Sequence, residues 1–217
     1  MMVFPIDSSK AYPVYIVPLA VFAVFTYLGP ILQIPHDMVY PAKTIAVAAC
    51  LVYFYSSYKE DIKINFSGVA MISGILVFII WVVLEGYYGQ NGYSEFNPFQ
   101  KLQGAGPYTF IFFRLTGAVL VVPIMEELFW RSFALRMLIN TDFTSVRLGQ
   151  FTWFSFLVVS LSFGLAHYRW LPGIIAGMVY ALVLYHRKNL FDCILSHATT
   201  NLLLGIYVLI TRQWTFW

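Results

Sequence analysis

A chain of 217 residues with 60% hydrophobic residues, only 11% charged ones and a mean hydropathy of +0.74 is not built for water, because soluble domains carry about a quarter charged residues. Its composition is that of an all-α polytopic membrane protein: backbone groups in lipid must be satisfied within helices or a closed barrel, and no barrel-like alternation is present. The net charge of +3 is spread over the loops without a basic tract, which excludes nucleic acid as a partner.

A bilayer core of about 30 Å takes roughly 20 apolar residues per helix. Seven segments come near that length: residues 13–34, 41–58, 67–87, 107–138, 151–168, 172–186 and 189–211. The first follows Asp7 and Lys10 without an A-x-A cleavage pattern, so it reads as a retained span rather than a removable signal peptide. His36 and His186 fall at segment ends and read as interfacial residues. Cys50 and Cys193 form no CxxC pair and read as small core residues. The one long connection, residues 88–106, is rich in Gly, Asn and Pro. It reads as a solvated connector, with a lid or substrate-contacting loop as the alternative.

With no internal repeat or low-complexity stretch, the chain is expected to form one membrane domain over 1–217, residues 1–106 supplying the N-terminal spans. Lys10, Lys59, Lys63, Arg136, Arg147, Arg187 and Lys188 then share one side, against Lys43, Lys101, Arg169 and Arg212 on the other. That excess favours a cytoplasmic N-terminus.

The fourth segment, 107–138, is about 48 Å long as a helix, so its C-terminal end is expected to emerge near Arg136. Arg114, near its start, is expected to snorkel to the interface. Pro123 cannot donate to the carbonyl of Val119, which predicts a kink just before Glu126 and Glu127. On a helix, Glu127 and Arg131 are four apart and share a face. Glu126 has Trp130 at the same spacing and therefore lacks a local cation.

Each mid-membrane charge costs about 2.5–3.5 kcal/mol on insertion scales, so these residues need partners or a wet cavity. Two further stretches supply polar groups: SFGLAHYRW carries His167, and LSHATTN carries His197 and Asn201 at i and i+4. A carboxylate, two histidines and an amide on three helices suit water-mediated hydrolysis. The carboxylate takes a proton from water, an imidazole orients that water, and His197 with Asn201 donates to an oxyanion. Zinc held by Glu126, His167 and His197 is the minority alternative to a cofactor-free site. A structural ion cluster in a non-catalytic scaffold, assembly or immunity factor is a second alternative. A proton-coupled transporter is a third, disfavoured by the lack of an inverted repeat.

EELFWR, FGLAH and HATTN occur in that order, each near an apolar helix. They match the EExxxR, FxxxH and HxxxN motifs of the CPBP family (CAAX proteases and bacteriocin-processing enzymes, also called Abi), which the chain resembles over about residues 107–211. The short chain also resembles the CAAX-protease-related subgroup found with exosortase systems. The resemblance implies a type II CAAX prenyl protease, an intramembrane endopeptidase without a cofactor, in which Glu126 and His167 activate water. It implies that His197 and Asn201 form the oxyanion hole, with Glu127 and Arg131 in support. The implied partners are a peptide or lipidated protein substrate and membrane lipid, in the cytoplasmic membrane of a prokaryote. Neither the substrate's identity nor the oligomeric state is legible in the residues.

Overall fold

The computed structural model describes residues 8–87 and 96–217. Among them there is no strand, and the chain is laid out in seven long helices. These are α1 (Ser8–Ile31), α2 (His36–Tyr58), α3 (Gly68–Leu84), α4 (Gly106–Met137), α5 (Trp153–Leu165), α6 (Trp170–Arg187) and α7 (Leu190–Thr211). Four regions are long and apolar enough to cross a membrane: Tyr12–Ile31, His36–Asp61, Gly106–Met137 and Leu190–Thr211. Helices α3 and α5 are apolar but shorter.

Local chemistry sets the helix starts. The side chains of Ser67, Thr152 and Asn189 each accept a hydrogen bond from a backbone N–H of the first turn that follows, the usual N-cap arrangement. Lys188 ends α6 in the left-handed region at φ 55°, and Asn189 caps α7 immediately after it. Two residues thus reverse the chain between α6 and α7. The expected loop at 88–106 falls partly outside the described residues; within it, Asn97 caps a single helical turn, Pro98–Lys101.

Helix α5 packs along α6, α7 against α3, and α1 against α2, while α4 runs among α1, α2 and α7. Small residues allow these close approaches, as membrane helix pairs require. A Cβ on Gly74 of α3 would stand 2.4 Å from the Ser196 carbonyl oxygen of α7. One on Gly164 of α5 would stand 2.2 Å from Cγ1 of Ile174 on α6.

The predicted interruption before the glutamates takes a specific form. Helix α4 has π-helical turns at Gly117–Val121 and Leu128–Ala134, on either side of the glutamate pair. Such turns are rare and concentrate at functional sites. Arg136, at the C-terminal end of α4, is 7% exposed and pairs with Asp61 at 3.2 Å. The Asp61 carboxylate also accepts from Ser132 (2.6 Å) and Tyr15 (3.0 Å), joining the end of α2 to α4 and α1. An arginine near the membrane is less costly when paired than when solitary, and the acid after α2 supplies the pair.

Candidate active site

Glu126 and Glu127 are adjacent on α4 and have different surroundings. The Glu127 carboxylate is fully buried, with one oxygen 3.0 Å from Arg131 Nε and the other 2.9 Å from His197 Nδ1. Arg131, also fully buried, donates through Nη2 to the Gly177 carbonyl at 3.2 Å and lies 4.4 Å over the Phe163 ring. The i,i+4 pairing expected from sequence is therefore present. Its contact with His197 was not foreseeable, because α7 meets α4 only in the folded bundle.

His197 is held on two sides. A carboxylate oxygen only accepts, so Nδ1 carries the proton toward Glu127. The Tyr180 ring stacks on the imidazole at 5.1 Å and 20° between planes. The Tyr180 hydroxyl donates to Thr200 Oγ1 at 2.8 Å, and that hydroxyl lies 2.9 Å from the Gly74 carbonyl. Nothing in the sequence singles out Tyr180, because its partners come from α7 and α3, which sequence spacing does not report.

His167 is not on a helix. Helix α5 starts at Trp153 and stops at Leu165, two residues later and three residues earlier than expected, so the histidine rides the turn between α5 and α6. The backbone N–H of His167 bonds to Gly164, not to Phe163. The Phe163 carbonyl is one of the orphans that every helix end creates, and His167 Nδ1 satisfies it at 2.7 Å. This is a physical reason for a phenylalanine-to-histidine spacing of four. Since a carbonyl only accepts, Nδ1 is the protonated nitrogen, and Nε2 of the neutral ring is left as an acceptor. That Nε2 stands 4.0 Å from Glu126 Oε2.

Glu126 is 7% exposed, and its Oε2 has no hydrogen-bond partner. Asn201, one turn beyond His197 on α7, donates through Nδ2 to the Ala118 carbonyl at 2.7 Å. The π turn explains why that carbonyl is available. Val122 donates to Gly117 in the π register, so the next donor in line for Ala118 is residue 123, a proline without an N–H. Pro123 and Asn201 thus form one feature, with the side chain of α7 replacing a missing backbone donor of α4.

Glu126, His167, His197 and Asn201 all line one cavity of about 260 Å³. Glu127 and Arg131 do not line it; they lie behind His197. Trp81, Phe163, Tyr180 and Thr200 complete the wall near the histidines. Arg114 also lines the cavity rather than snorkelling away, with its guanidinium 4.5 Å over the Tyr40 ring. Among the described residues no three His, Cys, Asp or Glu side chains are grouped so as to hold a metal ion. Cys193 is buried and Cys50 half-buried, and both are free thiols.

A cavity that gathers a carboxylate, two histidines and an amide inside an apolar helix bundle defines a class, that of integral membrane proteins with an intramembrane site. Comparison with known proteins narrows it. Residues 108–203 match the family described as Rce1-like, type II CAAX prenyl endopeptidase. This segment, a little under half of the chain, runs from the start of α4 into α7 and is similar to the CAAX proteases of that family. The family is one of proteases. No curated protein and no solved structure matches the chain.

Proposed function

We propose that the protein is an intramembrane endopeptidase of the type II CAAX prenyl protease class, hydrolysing a peptide bond near the membrane surface with a glutamate-activated water. The observation that carries this is the convergence of Glu126, His167, His197 and Asn201, from three separate parts of the chain, on one cavity.

The chemistry follows from the donors and acceptors. Water sits between Glu126 and the His167 Nε2, whose 4.0 Å separation leaves each within reach of a shared molecule. Glu126 takes one proton, and His167 accepts a hydrogen bond from the other, which aims the oxygen lone pair at the scissile carbonyl. As the carbon–oxygen bond forms, negative charge moves to the carbonyl oxygen. His197 and the second N–H of Asn201 face that oxygen; because Nδ1 of His197 is turned to Glu127, the donation comes from Nε2 of an imidazolium. Collapse breaks the carbon–nitrogen bond, and the proton held by Glu126 passes to the leaving amine. Glu127 and Arg131 position His197 and do not touch substrate. No step uses a metal or cofactor.

The substrate in this proposal is a peptide or prenylated protein, in keeping with the family. All seven helices are membrane spans of a single domain, with the N-terminus cytoplasmic, in the cytoplasmic membrane of a prokaryote. Residues 107–211 form the catalytic core, against which the helices of 1–106 pack. Mass spectrometry of a farnesylated CAAX reporter peptide incubated with the purified protein in detergent tests the activity. A single cleavage after the prenylated cysteine is expected. An intact peptide with folded protein would point instead to a scaffold, or to non-prenylated substrates.

A further inference from the structure

His197 sits in the middle of a helix and is braced by Glu127 and Tyr180. His167 rides the turn 166–169 between α5 and α6. The bond from its Nδ1 to the Phe163 carbonyl ties the ring to the end of α5, but it does not tie the turn to the rest of the bundle. A group that aims a water needs that second tie, since a displacement of about 1 Å can cost about 10²-fold in rate.

The tie comes from the end of α3. Trp81 and Glu85 are four residues apart there, so they face the same way. The Trp81 ring meets the His167 imidazole edge to face, with centroids 5.9 Å apart and 78° between planes. Glu85, the C-cap residue of α3, accepts from both Nε and Nη2 of Arg169, one carboxylate oxygen for each nitrogen. Arg169 is two residues beyond His167; it closes the turn as the N-cap residue of α6 and is 7% exposed. Its Nη2 also donates to the Thr215 carbonyl at 3.0 Å, and its Cζ lies 4.7 Å over the Phe216 ring, so the same guanidinium reaches the segment after α7. A two-pronged pair of this kind fixes orientation as well as distance, which a point charge does not.

We propose that the Glu85–Arg169 pair is a positioning device for His167: it pins the α5–α6 turn to the end of α3 and so keeps Nε2 within reach of the water on Glu126. The inference rests on the peptidase reading of the site. Neither member of the pair touches the water or the substrate. Without it the turn is held by α5, α6 and the Trp81 contact alone, and the imidazole loses the aim that places Nε2 4.0 Å from Glu126 Oε2. Trp81 and Glu85 both precede the family-matched segment 108–203. The N-terminal helices are thereby given a part in the chemistry, since one of them sets the geometry of a histidine that the matched segment supplies.

Two readouts test this, and the first needs no turnover. Nitrogen NMR of the full chain in detergent, labelled in its histidine rings, reports which ring nitrogen carries the proton; the His167 signal is the one lost in His167→Asn. In the wild type His167 is expected in the Nδ1–H form that the Phe163 carbonyl selects, and in Arg169→Met that form should give way to a mixture. Glu85→Gln, which keeps one acceptor oxygen, and Arg169→Lys, which keeps the charge without the fork, are mild enough to fold and should fall between. The second readout is kcat on the farnesylated reporter peptide. Arg169→Met should lower it about tenfold to a hundredfold, the scale of a displacement of about 1 Å, and should lower it no further in a His167→Ala background, where the device has nothing left to act on. A His167 signal unchanged in all three variants overturns the proposal. So does a loss of kcat that is equally large when His167 is already alanine, which would assign Arg169 to the cavity wall at Phe216 or to stability alone. An altered signal in a protein whose wild type cleaves nothing would keep the positioning role and remove the peptidase reading; cleavage by the wild type with an unaltered signal would do the reverse.

Discussion

Replacing Glu127 separates the structural role of its ion pair from its effect on His197. In Glu127→Met the guanidinium of Arg131, fully buried, loses its carboxylate partner, and His197 Nδ1 loses its acceptor. Breaking a buried pair by removing one partner costs about 3–5 kcal/mol. Arg131→Met strands the Glu127 charge and costs a similar amount, softened by the imidazole that remains beside it. In the double variant both charges are gone and a methionine pair fills the space; what remains unpaired is chiefly the His197 N–H, worth about 1–3 kcal/mol. The double variant should therefore be more stable than Glu127→Met alone, whereas additivity would predict a loss of about 6–10 kcal/mol. Reversible unfolding by SDS in mixed micelles, followed by far-UV circular dichroism, gives the cycle. Hydrolysis behaves differently: it stays about a hundredfold or more below wild type in the double variant, because an oxyanion donor is no longer held in place. Additive destabilisation, or activity that recovers with stability, would refute the assignment of Glu127 as the group that orients His197.

Asn201→Ala should lower kcat by about 10²–10³ with little change in KM, as loss of one oxyanion donor does; steady-state kinetics on the reporter peptide measures it, and an effect confined to KM contradicts the role. Gly164→Ala should destabilise the protein by about 1–3 kcal/mol through overpacking, since the new methyl meets Ile174 Cγ1 at 2.2 Å and its backbone nitrogen at 2.5 Å. The same unfolding assay reads that loss, and an unchanged stability would mean that α5 and α6 are further apart than described. Dialysis against a chelator should leave the cleavage rate unchanged; a rate lost on dialysis and restored by zinc would support the metal alternative at Glu126, His167 and His197.

Much of this architecture was legible in the residues, and the exceptions share a cause. The seven long helices among the described residues were visible as apolar runs, and the four that are long and apolar enough to cross a membrane declare themselves by length and hydropathy. The Glu127–Arg131 pair was visible because it lies within one helix, where spacing fixes the geometry. The turn that carries His167 was misplaced by a few residues, since an apolar run does not announce where backbone hydrogen bonding stops. Pro123 announced an irregularity, though not that Asn201, 78 residues later, supplies the donor it lacks. Arg114 looked like an interfacial residue because its position along α4 is near the start. Only packing against Tyr40 and Trp217 turns it to the cavity. Interactions within an element are written in its spacing, while those between elements depend on helix rotation, which the sequence does not state.

The most direct measurement is the cleavage rate of the farnesylated reporter with Glu126→Gln beside wild type, both shown to be folded by size exclusion and circular dichroism. Glutamine keeps the size and polarity of the side chain but cannot take a proton from water. A fall of about 10²–10⁴, the usual contribution of a general base, is the expected result. A Glu126→Gln protein that cleaves at the wild-type rate would contradict glutamate-activated hydrolysis outright.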